Sequence, residues 1–251
     1  MSLAVQHFEP RIDGSFTDQL VIGLIVLSTD TLTESEVRKM APSEGVVFSA
    51  TRIKAQNPIT IENLAAHAHE IADAAALFDP PGSVGVFAYA CTSGSAIISQ
   101  TRLEEQLHLT AEHAKLTSPM TGALKAFDLL DIERIALLTP YPDDVTAFMT
   151  DCLERTGRSV VSSGSFHMIN DFEIMGITPE SIIDAASAVD TAEAQALFIP
   201  CTGLRTSTII EPLEQKLGKP VITAHQAMLW DALRLGGYSE SISGFGMLLT
   251  R

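Results

Sequence analysis

The sequence predicts an α/β protein built from two similar half-domains, each with a parallel sheet covered by helices. Three observations support this fold class. Short runs rich in Val, Ile and Phe lack the alternation of half-exposed strands, helical patterns separate these runs, and a cysteine–threonine pair ends two of them. Strands that are apolar on both faces and are separated by helices are typical of parallel sheets.

Strand and helix signals follow one another along the chain. Thr60 is a plausible cap for a helix with apolar residues at helical spacing, and Pro179 suits the first turn of another helix. Further helices are predicted over 119–131 and 143–155. Strands are predicted at 20–27, 46–53, 84–90, 135–139, 159–163, 196–200 and 220–223.

An internal repeat divides the chain. The pairs Cys91-Thr92 and Cys201-Thr202 are 110 residues apart, and the strand ends at Ser28 and Thr139 are 111 apart. Such equal offsets predict two copies of one βαβ-type unit, related by a pseudo-twofold axis. We expect one half-domain to comprise 1–117 plus 224–251 and the other 118–223, with the active site in the cleft between them. Chance similarity between two α/β units is the alternative.

Composition limits the class of protein and its partners. The chain has 251 residues, 46% of them hydrophobic and 19% charged, as in ordinary globular proteins. No run of 18 apolar residues exists, and the first 20 residues lack the apolar core of a signal peptide. A net charge of −15 argues against nucleic acid or an anionic membrane as partner. The acidic stretch 34–44 is expected to be a solvated helix and loop.

Other motifs are not informative or are missing. Three widely spaced cysteines indicate free thiols in a reducing compartment, and the cytoplasm is the expected location. His67 and His69 are two residues apart on a predicted helix and point to different faces, so we expect no metal site and an ordinary role for both. Neither nucleotide-binding glycine motif is found, which argues against a nucleotide-binding protein.

The two cysteine–threonine pairs are the candidate reactive groups. In open parallel sheets, ligands bind beyond the carboxyl ends of the strands, where both pairs are predicted to lie. Free N–H groups and a helix N-terminus are expected to lower the thiol pKa there. Cys91 and Cys201 could then act on opposite faces of one substrate carbon, one as base or nucleophile and the other as acid. Burial as small apolar residues is the alternative, and it is the role expected for Cys152.

Five segments resemble the aspartate/glutamate racemase superfamily, and within it the maleate cis-trans isomerase and arylmalonate decarboxylase branch. The resemblance extends from about Val21 to Gly237. The segments are GLIVLSTDT from Gly23, ACTSGS from Ala90, SPMTGA from Ser118, LTPY from Leu138 and PCTGLR from Pro200.

The resemblance implies a role for each matched residue. It implies that Cys91 is the nucleophile and Cys201 the acid/base. Thiol acid–base and addition chemistry requires no cofactor and the sequence shows no cofactor motif, so we expect a cofactor-independent enzyme. Decarboxylases of the branch have glycine at the first cysteine position, so Cys91 favours isomerisation. A homodimer is also expected. The remaining matched residues are implied to bind a substrate carboxylate, with a turn-forming role equally open for Asn170: Thr92, Ser93, Tyr141, Asn170, Thr202 and Gly203.

Three positions depart from the branch. Asp30 and His225 stand where its isomerases have asparagine, and Leu27 where they have proline. An ionised aspartate accepts hydrogen bonds but repels a carboxylate. Asp30 must therefore be protonated, turned away from the substrate, or facing a cationic group. A substrate bearing an ammonium or amide group would explain it. The sequence therefore supports a maleate isomerase-like enzyme or a racemase of an amino-acid derivative, as in relatives encoded with ectoine-degradation enzymes. A non-catalytic binding protein for a small solute is the alternative from another class.

Overall fold

The computed structural model describes residues 5–13, 19–78 and 82–251, and these contain two four-stranded parallel sheets. The first sheet consists of β1 (Leu20–Leu27), β2 (Val46–Ile53), β3 (Val86–Ala90) and β4 (Lys115–Thr117), in the spatial order β2-β1-β3-β4. The second consists of β5 (Arg134–Thr139), β6 (Ser159–Ser165), β7 (Ala196–Ile199) and β8 (Val221–Thr223), in the order β6-β5-β7-β8.

Eleven α-helices are found in the described ranges, and the longer ones connect the strands. Those up to the end of the first sheet are α1 (Thr33–Met40), α2 (Ile61–Ala66), α3 (Ile71–Ala75), α4 (Thr92–Ile98) and α5 (Gln100–Leu107). The others are α6 (Pro119–Leu129), α7 (Asp143–Arg155), α8 (Asp171–Met175), α9 (Pro179–Val189), α10 (Ile210–Leu217) and α11 (Ala224–Leu235). Short 3-10 helices cover His67–Glu70 and Leu248–Thr250.

The identical strand order of the two sheets confirms the fold class: an α/β protein of two half-domains, each with a parallel sheet. In each sheet, a cysteine follows the third strand along the chain, at Cys91 after β3 and at Cys201 after β7. The half-domain boundaries at 117/118 and 223/224 stay predictions. β4 was missed from the sequence because three residues, Lys-Leu-Thr, are too few to form a pattern.

The central strands explain why the sequence shows no alternation. Every residue of β3 and of β7 is buried, because helices cover both faces of each sheet. Two of these helices cross between the half-domains. Helix α11 follows β8 but packs against β3 and β4, whereas α6 follows β4 but contacts β8. Phe127 of α6 also meets Phe198 of β7 edge to face, with ring centroids 5.3 Å apart.

The prediction that 34–44 is a solvated stretch is wrong for Glu36. This side chain is buried, and its Oε2 accepts hydrogen bonds from the amides of Thr206 (2.9 Å) and Ser207 (2.8 Å), on the loop beyond Cys201. Burial opposes its ionisation, but the Lys39 ammonium and the Ser207 amide outweigh burial and lower the pKa of Glu36. Helix α1 is thereby joined to the other half-domain.

Among the helices of the described residues, none has both the length and the apolar character that a membrane crossing requires.

The contact between the two crossing helices depends on Gly122. A Cβ at this position would lie 2.2 Å from the carbonyl oxygen of Ala227, which is backbone and cannot rotate away. We expect Gly122→Ala to lower the free energy of unfolding by at least about 1 kcal/mol in urea titrations, despite alanine's better helix propensity. Gly85→Ala is the control, because nothing lies within 4 Å of a Cβ there. Equal stability of the two variants would contradict the close approach of α6 and α11.

Candidate active site

A cavity lies where the carboxyl ends of both sheets meet. Its volume is about 40 Å³. One water needs roughly 10–15 Å³ of such space, so the cavity suits a small molecule. Its walls follow β1, β2 and β3 of the first sheet and β5, β6 and β7 of the second. They consist of Leu27, Thr29, Asp30, Ala55, Gln56, Ile59, Leu64, His67, Cys91, Ser93, Tyr141, Asp171, Met175, Cys201, Thr202 and Gly203.

Cys91 lies at the end of β3 and caps the N-terminus of α4. Its Sγ accepts a hydrogen bond from the Gly94 amide at 3.3 Å and lies 3.9 Å from the Ser93 hydroxyl. Position 94 requires glycine, because a Cβ there would lie 2.3 Å from the Tyr89 hydroxyl and 2.9 Å from the Cys91 Sγ. The glycine therefore lets an amide approach the thiol closely.

Cys201 is held in a comparable way by a turn. Its Sγ accepts a hydrogen bond from the Gly203 amide at 3.3 Å. The neighbouring Thr202 hydroxyl donates to the carbonyl of Ala90 at 3.2 Å, which joins the two cysteine loops directly. The predicted helix immediately after Cys201 is wrong: a turn follows the cysteine, and α10 begins only at Ile210.

The expectation of lowered thiol pKa values is also wrong for the ligand-free protein. Burial raises the pKa of Cys91 to about 11 and that of Cys201 to about 12. The amides of Gly94 and Gly203 oppose this rise but do not overcome it, and the Asp171 carboxylate raises both pKa values further. Both free thiols are therefore protonated near neutral pH.

Most residues singled out from the sequence reach the cavity. Tyr141 is buried, and its hydroxyl donates to the Pro200 carbonyl at 2.5 Å. Burial, together with both cysteines, raises its pKa well above the usual value, so the hydroxyl keeps its proton. The predicted residues that line the cavity are Asp30, Cys91, Ser93, Tyr141, Cys201, Thr202 and Gly203.

Thr92 and Asn170 do not line the cavity. Thr92 is buried, and its Oγ1 has no hydrogen-bond partner among the described residues. The Asn170 side chain accepts a hydrogen bond from the Phe172 amide at 2.9 Å and caps α8. The expected substrate contact of these two residues thus does not match their placement, and for Asn170 the structure favours the turn-forming role.

Asp30 is fixed by its own loop. Its Oδ1 accepts from the amides of Leu32 (2.7 Å) and Thr33 (3.0 Å), and its Oδ2 accepts from the Thr33 hydroxyl at 2.6 Å. That hydroxyl also lies 3.0 Å from Nε2 of His225. His225, expected in a cleft loop, is instead fully buried behind Asp30 at the start of α11, and burial lowers its pKa.

His67 lines the cavity, contrary to the expectation of an ordinary role. Its Nδ1 lies 2.8 Å from the Tyr89 hydroxyl, and burial lowers its pKa to about 4. The side chain is therefore neutral near pH 7. A sequence signal was present, because His67 is three residues after Leu64 and four before Ile71, and both of these are buried.

Asp171 was missed as well. It begins α8, lines the cavity, and its Oδ2 accepts a hydrogen bond from the Thr29 hydroxyl at 2.7 Å. Burial raises its pKa, and Asp30 adds to the rise. Its position directly after Asn170, a residue singled out by the resemblance, was the available signal.

Cys152 lies in α7, half-buried and outside the cavity, with its Sγ 3.8 Å from the Ala96 carbonyl. No group of three His, Cys, Asp or Glu residues within 5–13, 19–78 and 82–251 is placed to hold a metal ion.

Comparison with known proteins gives a consistent result. A family model described as arylmalonate decarboxylase matches residues 22–249. A maleate isomerase of Nocardia farcinica is 27% identical over 246 residues, which cover 91% of this chain and 94% of the relative. An arylmalonate decarboxylase of Bordetella bronchiseptica is 30% identical over 141 residues, 53% of this chain and 56% of that protein.

Solved structures share the fold. The maleate isomerase Iso of Pseudomonas putida superimposes with a TM-score of 0.84 at 21% identity, covering 92% of this chain and 98% of that one. A mutant of the Nocardia farcinica maleate cis-trans isomerase with a covalently bound succinylcysteine intermediate gives the same TM-score at 24% identity, with the same coverage.

Burial of His67 gives the protein a specific pH dependence of stability. Because its pKa falls from 6.5 when unfolded to about 4 when folded, the unfolded chain binds the proton first as pH decreases. Stability is therefore complete above about pH 6.5 and decreases as the pH falls towards 4. In urea titrations, we expect the free energy of unfolding of the native protein to decrease by about 2 kcal/mol between pH 7.5 and pH 5 because of this histidine. The His67→Gln variant should not show this decrease. The exposed His69→Gln should behave as the native protein does, and an unchanged pH profile in His67→Gln would refute the buried neutral histidine.

Proposed function

We propose that this chain, which belongs to the arylmalonate decarboxylase family, is a cofactor-independent isomerase that acts on a small carboxylate with Cys91 and Cys201. The observation that carries the proposal is that these two free thiols, one from each half-domain, line one small cavity. Each thiol also accepts a hydrogen bond from a glycine amide, a feature of a built site. Two thiols at one substrate can add and remove protons at different faces.

The presence of both cysteines favours isomerisation over decarboxylation. Decarboxylases of the branch are expected to have glycine where this chain has Cys91. The Nocardia farcinica relative, a maleate cis-trans isomerase, has been captured with a succinylcysteine intermediate. By analogy with that adduct, we assign Cys91 as nucleophile and Cys201 as acid/base.

A cis-trans isomerisation at these thiols has a balanced sequence of steps. After Cys91 has released its proton to solvent, its thiolate forms a C–S bond to one alkene carbon, and the π electrons move towards the neighbouring carbon and its carboxylate. The Cys201 thiol then protonates that neighbouring carbon. Rotation about the new single bond follows, after which Cys201 takes the proton back and Cys91 is expelled.

Donors in the cavity wall are suited to the carboxylate and to the charge that develops on it. The Ser93 hydroxyl lines the wall with only a long contact, 3.9 Å to the Cys91 Sγ, so it can donate to a substrate. The Tyr141 hydroxyl keeps its proton but donates it to the Pro200 carbonyl, and the Thr202 hydroxyl and Gly203 amide donate to Ala90 and Cys201, so these three groups would have to exchange partners. A preorganised donor of this kind typically contributes about 3–4 kcal/mol to stabilisation of an oxyanion. These groups take the place of the lysine or arginine that many carboxylate sites use.

Racemisation of an amino-acid derivative is the second candidate. It is favoured by the carboxylates of Asp30 and Asp171 in the cavity wall, which would repel a dicarboxylate such as maleate. The same thiols would serve it: one thiolate removes the α-proton, the electron pair moves into the carboxylate, and the other thiol donates a proton to the opposite face. A cytoplasmic location and a homodimer stay predictions.

The proposal is tested by proton NMR in D₂O. Maleate is supplied in one sample and α-amino acids in others, and we expect either a fumarate signal or loss of an α-proton signal. Cys91→Ala and Cys201→Ala should each reduce the rate at least about 100-fold, since each removes an essential group. Cys152→Ala is the matched control and should keep the native rate.

Two results would contradict the proposed function. Full activity of Cys91→Ala or Cys201→Ala would exclude the two-thiol mechanism. Ligands that bind but are recovered unchanged, with no deuterium incorporated, would instead identify a non-catalytic binding protein.

A further inference from the structure

Asp171 connects the two half-domains at the wall of the cavity that both thiols line. The residue belongs to the second half-domain but is attached to the first: Thr29 donates to its Oδ2 at 2.7 Å, and its amide donates to Oδ1 of Asn57 at 3.2 Å. It shares the cavity wall with Cys91 and Cys201. Its carboxylate therefore faces the same ligand that the thiols face.

The two carboxylates of the wall differ in how fully they are satisfied. Both oxygens of Asp30 accept hydrogen bonds, from Leu32 and Thr33 of its own loop. Asp171 receives one donor on Oδ2, and its Oδ1 has no donor among the described residues. Asp171 therefore has an oxygen that is free to accept a hydrogen bond from a ligand.

No lysine or arginine side chain among the described residues lines this wall. His67 does line it but is neutral near pH 7. The guanidinium of Arg52 is near the β1 loop, but it is bonded to the carbonyls of Leu27 and Asp30 and to the carboxylate of Glu34. The negative charge of the wall therefore has no cationic side chain as its partner. A cationic group of a ligand could take that place.

We infer that Asp171 is a specificity-determining residue that selects substrates carrying an ammonium group close to the reacting carboxylate, as amino acids do. The inference rests on the proposed function for the location of the substrate, and it specifies the substrate class of that site. Asp171 accepts the N–H of the ammonium, while the Ser93 hydroxyl on the same wall is left to donate to the carboxylate.

The same placement gives the ammonium a second effect. The Asp171 carboxylate raises the pKa of both Cys91 and Cys201. A cation bound at Asp171 offsets that charge and adds its own attraction for a thiolate, so binding of the substrate favours loss of a thiol proton. A dicarboxylate without an amine would have the opposite effect on both thiols.

Equilibrium binding of matched acids tests the inference without relying on turnover. The probes are amino acids and the same acids without the amine: aspartate with succinate, alanine with propionate, and 2-aminobutyrate with butyrate. In the native protein we expect the amine to tighten binding of at least one pair by about 10- to 100-fold, measured by calorimetry. Asp171→Asn should abolish this preference, and asparagine can still accept from Thr29.

The control variant is Glu173→Gln, which removes an equal charge from an exposed position of the same helix and should keep the amine preference. If Asp171→Asn does not fold, Asp171→Ser replaces it as the probe, since it also removes the charge, keeps an oxygen that can accept from Thr29, and must also lose the preference. The inference is wrong if no amino acid binds more tightly than its deaminated partner, or if Asp171→Asn retains the preference.

Failure of the inference and failure of the proposed function give different results. A protein that prefers the amine but shows no deuterium exchange or isomerisation contradicts the function and leaves the selection by Asp171 intact. A protein that converts maleate with no preference for amines contradicts the role of Asp171 and leaves the two-thiol enzyme intact.

Discussion

Burial of two thiols in one small cavity between half-domains is the constraint on which the rest of the structure depends. It requires that two separate sheets present their carboxyl ends to each other with little freedom. Hydrogen bonds across the boundary supply that restraint, and the strongest involve a charge: the buried Glu36 carboxylate accepts two amides of the opposite loop, each such bond contributing about 1.5–3 kcal/mol. The Thr202 hydroxyl and the Asp171 carboxylate make further bonds across the boundary, to Ala90 and Thr29. The crossing of α6 and α11 completes the attachment.

This arrangement places the thiols in the wall of a cavity that a small ligand can occupy. It also buries them, and burial makes them difficult to ionise. Removing a thiolate from water raises its free energy, and one amide donor from Gly94 or Gly203 offsets only part of that cost. The ligand-free site is therefore a resting state with two protonated thiols. Under the proposed function, catalysis requires a bound molecule that changes the local charge, which links selection of the substrate to activation of the nucleophile. Asp171 connects the two, because its charge acts on the ligand and on both thiols.

The sequence allowed prediction of whatever depends on local pattern or on the repeat. The parallel sheets and the two cysteine loops were found because runs of buried strand residues and repeated Cys-Thr pairs are visible along the chain, and Tyr141 was found because its segment resembles the family. Residues whose role depends on a distant partner were not found. Glu36 looks like a surface glutamate until its contact 170 residues away is known. The raised thiol pKa values were missed because burial depends on the packing of both half-domains, which a helix N-terminus at Cys91 cannot reveal.

The measurement that tests this account most directly is the pH dependence of alkylation at each cysteine of the ligand-free protein. Iodoacetamide labelling from pH 6 to pH 10 is quantified by peptide mass spectrometry, with Cys152 as an internal reference. Because burial raises the pKa of Cys91 to about 11 and of Cys201 to about 12, their rates should rise steadily with pH and show no plateau below about pH 10. A plateau with a midpoint at or below about 8.5, the value of an ordinary thiol, at either residue would contradict the buried, protonated thiol pair.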